Sequence, residues 1–271
     1  LPRTIGFEIQ AGPFAVAELR LAAEARRLGA SVGADELRLY VVDTLDDPYA
    51  EEHRLAAVYE PIARSRREAS RVKREETVLV VIGNPPYRER SRGRGGWIER
   101  GDPATAQAAP LAAFIPATEW GLGAHVKHLY NPYVYFWRWG TWKVFDRHPG
   151  DRGIVAFISV SGFLAGPGFA AMRRYLRSRA DAVWVIDLSP EGHQPEVATR
   201  VFAGVQQPVC ITIAVRDGST STDTPAPVRY RSIAGRRVDK FAALSSLRLD
   251  GDGWERCPED WRAPFLPAGD G

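Results

Sequence analysis

Along the first half of the chain, the spacing of apolar residues switches repeatedly between a period of two and a helical period. "RTIGFEIQ" alternates and ends at Glu8, which predicts a strand, and "PFAVAELRLAAEARRLGA" carries apolar residues at helical spacing with Gly29 as a stop. "ELRLYVVDTL" predicts a second strand ending at Asp43, and residues 50–76, rich in Arg and Glu, read as a solvated helix with charge pairs four residues apart. "TVLVVIG" is an unbroken apolar run, the pattern of a strand covered on both faces, and it leads straight into Asn84, Pro85, Pro86 and Tyr87.

Residues 88–118 lose periodicity and gain Arg, Gly, Pro and Ala, which predicts a long, mobile loop. After it, "EWGLGAHVKHLYNPYVYFWRWGTWKVFD" reads as a helical region dense in aromatics, followed by strand "GIVAFISVS", helix "GFAAMRRYLRSRA" and strand "AVWVIDLS". Strands "QQPVCITIAVR" and "VRYRSIA" close the periodic part. Alternating strands and helices predict a doubly wound α/β sheet with helices on both faces. From residue 217 onward, "DGSTSTDTPAP" reads as a linker or hairpin loop, and "WERCPEDWRAPFLPAGDG" carries too much Pro and Gly for a packed element of its own. The expected organisation is therefore a domain over 1–216 and a hairpin or linker over 217–271.

Composition narrows the classes. The chain has 271 residues, 45% hydrophobic and 25% charged, enough for one large domain or two small ones. No stretch approaches the roughly 18 apolar residues of a membrane span, and no signal-peptide pattern is present, so the expected location is the cytoplasm. Two cysteines, Cys210 and Cys257, lack the paired spacing of a zinc site, and Cys210 lies in an apolar strand as a core residue. His125 and His128 lie three apart with no third ligand nearby and read as surface residues, so no metal is expected. Net charge is +3, and the basic residues are almost all arginine, with lysine only at 73, 127, 143 and 240. Mild basicity permits a polyanionic partner without demanding one. The chain starts at Leu1 and its single methionine is Met172, which suggests a fragment of a longer reading frame.

In an open α/β sheet, ligands gather outside the carboxyl ends of the strands, and three such ends carry Glu8, Asp43 and Asn84. An acid at such a position can accept hydrogen bonds from ribose hydroxyls. Two prolines after Asn84 fix φ and remove backbone donors, so the turn offers carbonyl oxygens without competing N–H groups. The Asn84 side-chain oxygen and the Pro85 carbonyl form a pair of acceptors suited to an amino group, and Tyr87 supplies a face for a planar ring. The pattern fits a planar substrate bearing an exocyclic amine. The arginines of "YRERSRGRGG" either track phosphates or are simply solvated. The aromatics around Tyr133, Trp137 and Trp142 read as core packed against the sheet.

The Asn84–Tyr87 segment resembles the catalytic motif of amino-methyltransferases that use S-adenosylmethionine, especially the adenine-N6 DNA methyltransferases. "GFEIQAGPFAVAELRL" and "GIVAFISVSGFLAGPGFAAMRRYLRSRADAVWVIDL" resemble segments of the same group. "YNPYVYFWRWGTWKVFD", "ATRVFAGVQQPVCITIAVR" and "EDWRAPFLP" most resemble the methyltransferase part of single-polypeptide, type ISP restriction–modification enzymes. The likeness implies a Rossmann-like methyltransferase sheet and S-adenosyl-L-methionine as cofactor. It also implies double-stranded DNA with a flipped adenine as partner, in a restriction–modification or phage-defence system, and helicase or nuclease modules on the full-length polypeptide. It implies that Glu8 holds the cofactor ribose, Asp43 accepts from the cofactor's adenine amine and Phe157 packs on that adenine. Asn84, Pro85 and Pro86 would orient the substrate amine, Tyr87 would stack on the flipped base, and Phe202 would form a second wall of the pocket.

Two departures qualify the likeness. Val160 stands where such proteins often carry proline, and the glycine-rich F-x-G-x-G turn expected just before Gly6 is absent from the sequence. In the family's strand order, the strand bearing that turn lies between those ending at Glu8 and Asn84, so its absence implies two unpaired edges. A glutamine-amide or ribosomal-RNA methyltransferase and a catalytically inactive DNA-binding fragment remain the alternative readings.

Overall fold

The computed structural model describes residues 3–30, 37–50, 60–102, 107–150, 152–192, 199–219 and 223–269. The chain forms two compact units, one of residues 1–76 with 101–107 and one of residues 77–100 with 108–271.

In the first unit, strand β1 (Ile5–Glu8) pairs in parallel with β2 (Arg38–Val41), with Ile5 opposite Arg38 and Glu8 opposite Val41. Parallel pairing needs a crossover, and helix α1 (Ala11–Arg27) provides it. The helix ends where Gly29 takes φ 80°, which closes the last turn without a Cβ clash. Helix α2 (Glu60–Glu75) is less solvated than its charge suggested, because Ala63, Ala69, Val72 and Lys73 are buried. Ala69 and Val72, three residues apart, pack against Tyr40 and Val42 with Ile5 and Phe7 alongside.

The second unit is built on a six-stranded mixed sheet in the order β3–β4–β6–β5–β7–β8. The strands are β3 (Val80–Gly83), β4 (Gly153–Val160), β5 (Ala182–Asp187), β6 (Val209–Arg216), β7 (Val228–Ser232) and β8 (Glu255–Arg256). Strand β6 inserts between β4 and β5 and runs antiparallel to both, whereas β3 is parallel to β4 and β7 is parallel to β5. Flanking helices are α3 (Gly96–Arg100), α4 (Pro132–Thr141), α5 (Ala170–Arg179) and α6 (Arg237–Ser246). This is the expected α/β class, a Rossmann-like sheet flanked by helices. The aromatic helix α4 is core, as its spacing predicts, with Tyr133, Tyr135 and Trp137 buried. It packs closely because a Cβ on Gly140 would lie 3.1 Å from the Phe157 ring and from Val155.

Among the described residues, β1 pairs only with β2 and β3 only with β4, so each of the two sheets ends on an edge strand. Full cover of β3 is not found: Val80 is 52% and Ile82 76% exposed.

Two further expectations are corrected. Residues 88–118 are not a structureless loop, because α3 and a turn of 3-10 helix at Pro110–Phe114 bury Trp97, Ile98, Leu111 and Phe114. The Arg138 guanidinium, on α4, holds this segment by donating to the Pro110 carbonyl at 2.7 Å while lying over the Phe114 ring. Nor does the packing change at residue 217, since β7, α6 and β8 belong to the second unit. The tail is pinned by buried arginines of α5: Arg173 donates to the Arg262 and Ala263 carbonyls, and Arg177 to that of Pro258. Phe265, fully buried, closes against Phe163. Among the described residues, no helix is long and apolar enough to cross a membrane.

Candidate active site at the strand ends

Strand β3 ends at Gly83, whose parallel partner is Phe157. A Cβ on Gly83 would stand 3.0 Å from the Phe157 ring, so a side chain here would press the ring back by a few tenths of an ångström. The chain then leaves the sheet as Asn84, exposed, Pro85, buried, and Pro86, exposed. Both prolines hold φ near one value, which stiffens the exit of the strand.

Tyr87 turns back from this exit and its hydroxyl donates to Asn84 Oδ1. Its ring lies 6.1 Å from that of Phe202, tilted by 46°. Both rings pack on a cluster formed by Ile186, Leu188, Val201, Val209 and Ile233. Burial pushes the Tyr87 phenol up to about 12, the Asn84 hydrogen bond opposing it, so the hydroxyl is a neutral donor at ordinary pH. The structure therefore brings Asn84, Tyr87 and Phe202 together although Phe202 is 115 residues further along the sequence.

What holds Phe202 in place was not legible beforehand. Lys240, on α6 and 1% exposed, donates to the Leu188 carbonyl at 2.7 Å, the Thr199 carbonyl at 3.0 Å and Glu191 Oε2 at 3.1 Å. Glu191 Oε1 accepts from the Gly235 backbone N–H at 2.9 Å. One ammonium thus clasps the segment after β5 to the segment that carries Phe202. The available signal was the scarcity of lysine: of four in the chain, Lys73, Lys143 and Lys240 are each 1% exposed.

Phe157 lies on β4 in the second unit, opposite Gly83 of β3. Its ring is 3% exposed, edge-on to Trp137 at 5.0 Å and 86°, and closed in by Gly83 and Gly140. In this position it is the floor under the strand exit. Val160 ends β4, and the next residue, Ser161, donates its N–H to the Pro208 carbonyl at 3.0 Å.

Glu8 and Asp43 belong to the first unit. At the end of β1, Glu8 Oε1 accepts the Gln10 N–H at 2.8 Å, and just beyond β2, Asp43 Oδ1 accepts the Leu45 N–H at 2.9 Å. Among the described residues, the second oxygen of each carboxylate has no hydrogen-bond partner. The Asp43 backbone is held from below by Lys73, whose ammonium donates to the Asp43 carbonyl at 2.7 Å and lies 5.5 Å from the Phe7 ring centroid. Burial lowers the Lys73 ammonium to about 8, with Asp46, Asp43 and Asp47 opposing the shift. His125 and His128 stack at 6.4 Å.

No family model matches the sequence, and no curated protein matches it. Solved structures do. A DrdV–DNA complex is 21% identical with a TM-score of 0.69, over 96% of this chain and 24% of that one. A nuclease-deletion mutant of the type ISP restriction–modification enzyme LlaGI, bound to a DNA substrate mimic, is 19% identical with a TM-score of 0.71, over 97% of this chain and 21% of that one. The methyltransferase subunit of a type I restriction–modification system from Streptococcus thermophilus is 16% identical with a TM-score of 0.50, over 96% of this chain and 44% of that one. The chain spans about a quarter or less of the length of the first two. In fold, this chain is similar to part of the type ISP restriction–modification enzymes and to a type I methyltransferase subunit.

Proposed function

We propose that this chain is the catalytic part of a restriction–modification or phage-defence DNA methyltransferase that transfers a methyl group from S-adenosyl-L-methionine to the 6-amino group of adenine. One observation carries the reading: the Asn84-Pro85-Pro86-Tyr87 exit from β3 presents an exposed amide beside the paired rings of Tyr87 and Phe202.

A base inside a duplex cannot present its amine, so the target nucleotide leaves the stack, at an expense of a few kcal/mol. Stacking on Tyr87 returns roughly 1–3 kcal/mol of that, with Phe202 as the second wall. The Asn84 side-chain oxygen and the Pro85 carbonyl then accept hydrogen bonds from the two amine N–H groups and draw the nitrogen toward a tetrahedral geometry, and the proton the nitrogen sheds on methylation passes to water. Positioning does most of the work, and no general base of shifted pKa is needed.

The donor set of the first unit fits the cofactor. The partnerless oxygens of Glu8 and Asp43 lie at two neighbouring strand ends, where a carboxylate can accept from ribose hydroxyls and from an adenine amine. When bound, S-adenosylmethionine supplies an electrophilic sulfonium methyl. In this reading Glu8 and Asp43 hold it, and Lys73 keeps the Asp43 segment in place.

The test is incubation of the chain with labelled S-adenosylmethionine and unmethylated DNA, followed by mass spectrometry of the nucleosides. N6-methyladenine, lost in Asn84→Ala, is the expected result. Methylation of RNA or of a protein glutamine in place of DNA, or DNA binding without any transfer, overturns the reading in favour of the corresponding alternative.

A further inference from the structure

Directly after Tyr87 the chain carries Arg88, Arg90, Arg92 and Arg94, with Glu89 the single acid in residues 88–94. All four arginines are exposed, and among the described residues none forms an ion pair. This differs from Arg27, Arg67 and Arg248, which are also on the surface but each pair with a nearby carboxylate. A solvated charge run ordinarily has few backbone ties, and this one has several.

The backbone from Arg90 to Gly95 is fastened at four points. The Arg90 N–H donates to Asn131 Oδ1 at 2.8 Å, and the Ser91 N–H to the Tyr130 carbonyl at 2.8 Å. Beyond them, the Glu99 carboxylate gathers the Gly93 N–H at 2.8 Å, the Gly95 N–H at 2.9 Å and the Tyr135 hydroxyl at 3.0 Å. Tyr135 is fully buried, and burial, with Glu99 beside it, raises its phenol so that it stays a donor. Glu99 is thereby committed to the backbone of the loop and not to its guanidinium groups. Gly95 has to be glycine, since a Cβ there would meet Glu99 and Tyr135 within 2.9 Å.

Two details set the direction of the arginines. Arg90 is the non-glycine residue with positive φ, at 54°, among those described, a conformation that persists only where surroundings over-determine it and that gathers at functional sites. Arg92 lies over the Tyr130 ring at 4.6 Å from its centroid, which holds the guanidinium without using its donors. Planar five-donor groups held this way match phosphate oxygens.

We infer that residues 88–94 form a preordered phosphate-binding loop that grips the DNA backbone beside the nucleotide whose base enters at Tyr87 and Phe202. The inference rests on the DNA methyltransferase reading above and names the surface through which the backbone is held. Ordering before binding means that little entropy is lost on contact. Placement immediately after the catalytic tetrapeptide lets backbone grip and base capture act on the same strand.

The experiment is DNA affinity of the 271-residue chain over a salt series, alongside the methyl-transfer assay. In the variant R88A/R90A/R92A/R94A the slope of log K against log salt should fall by about 0.9 for each guanidinium that leaves a phosphate, about 3.6 if all four do. The four Arg→Lys replacements should keep a slope near that of the parent. A control that removes as much charge elsewhere, R20A/R26A/R64A/R237A, should change the slope by much less. An unchanged slope in the first variant, or an equal fall in the control, overturns the inference while methylation by the parent leaves the enzymatic reading standing. A parent that neither binds DNA nor methylates it overturns both.

Discussion

The Tyr87 hydroxyl donates to Asn84 Oδ1, the side-chain oxygen that the proposed reaction needs for the substrate amine. The site is closed on itself by this bond, and an entering base has to displace the hydroxyl while stacking on the same ring. Removing the hydroxyl and removing the ring should therefore have different effects. Tyr87→Phe frees the acceptor and keeps the face, so kcat/KM for DNA methylation should stay within a few-fold of the parent. Tyr87→Ala loses a stack of roughly 1–3 kcal/mol, so kcat/KM should fall by about 5- to 150-fold. Equal losses in the two variants would show that the hydroxyl, not the ring, is what matters.

Asn84→Ala should lower methyl transfer by at least about 100-fold, the usual result of deleting a preorganised group that acts at the reacting centre. Glu8 and Asp43 lie in the other unit, so cofactor affinity measured calorimetrically should be unchanged in this variant. Glu8→Ala should do the reverse and weaken cofactor binding first.

Lys240→Met should destabilise the second unit by about 3 kcal/mol in urea unfolding, because Glu191 and the Leu188 and Thr199 carbonyls lose a shared buried partner. Because the lost bonds anchor the segment leading to Phe202, KM for DNA should rise more than kcat falls in whatever fraction remains folded. A variant of parental stability would mean that the clasp contributes little.

Lys73 gives a pH signature. Its ammonium is depressed by burial to about 8, below its unfolded value of 10.5, so between these the unfolded chain binds more protons than the folded one. This contribution to stability is full above the unfolded value and is lost as pH falls through about 8. Stability measured from pH 8 to pH 10 should therefore rise with a slope that Lys73→Met abolishes. Above pH 10 the buried tyrosines oppose the trend, since Tyr87 and Tyr175 are held neutral to about 12 and the unfolded chain gives up those protons first.

Much of this architecture was legible because period and punctuation are local properties. Strands ending at Glu8 and Gly83, the helix stopped by Gly29 and the buried aromatic face of α4 all follow from spacing within one element. The acceptor chemistry of Asn84 and the two prolines is likewise a property of adjacent residues. By contrast, the reach from Tyr87 to Phe202 depends on β6 entering between β4 and β5, a pairing between distant segments that no local pattern specifies. Val80 and Ile82, two residues apart on one face of β3, are exposed because nothing described covers that face, which an apolar run does not reveal. The ordered state of residues 88–100 and of the tail comes from single long-range ties, Glu99 to two glycine amides, Arg138 to Pro110, and Arg173 and Arg177 to the last carbonyls. Sequence by itself determined the kinds of element and the chemistry at their ends. Only the tertiary structure decided which ends meet and which polar side chains are buried to hold them, because a hydrogen bond to a distant carbonyl leaves no periodic trace in the chain.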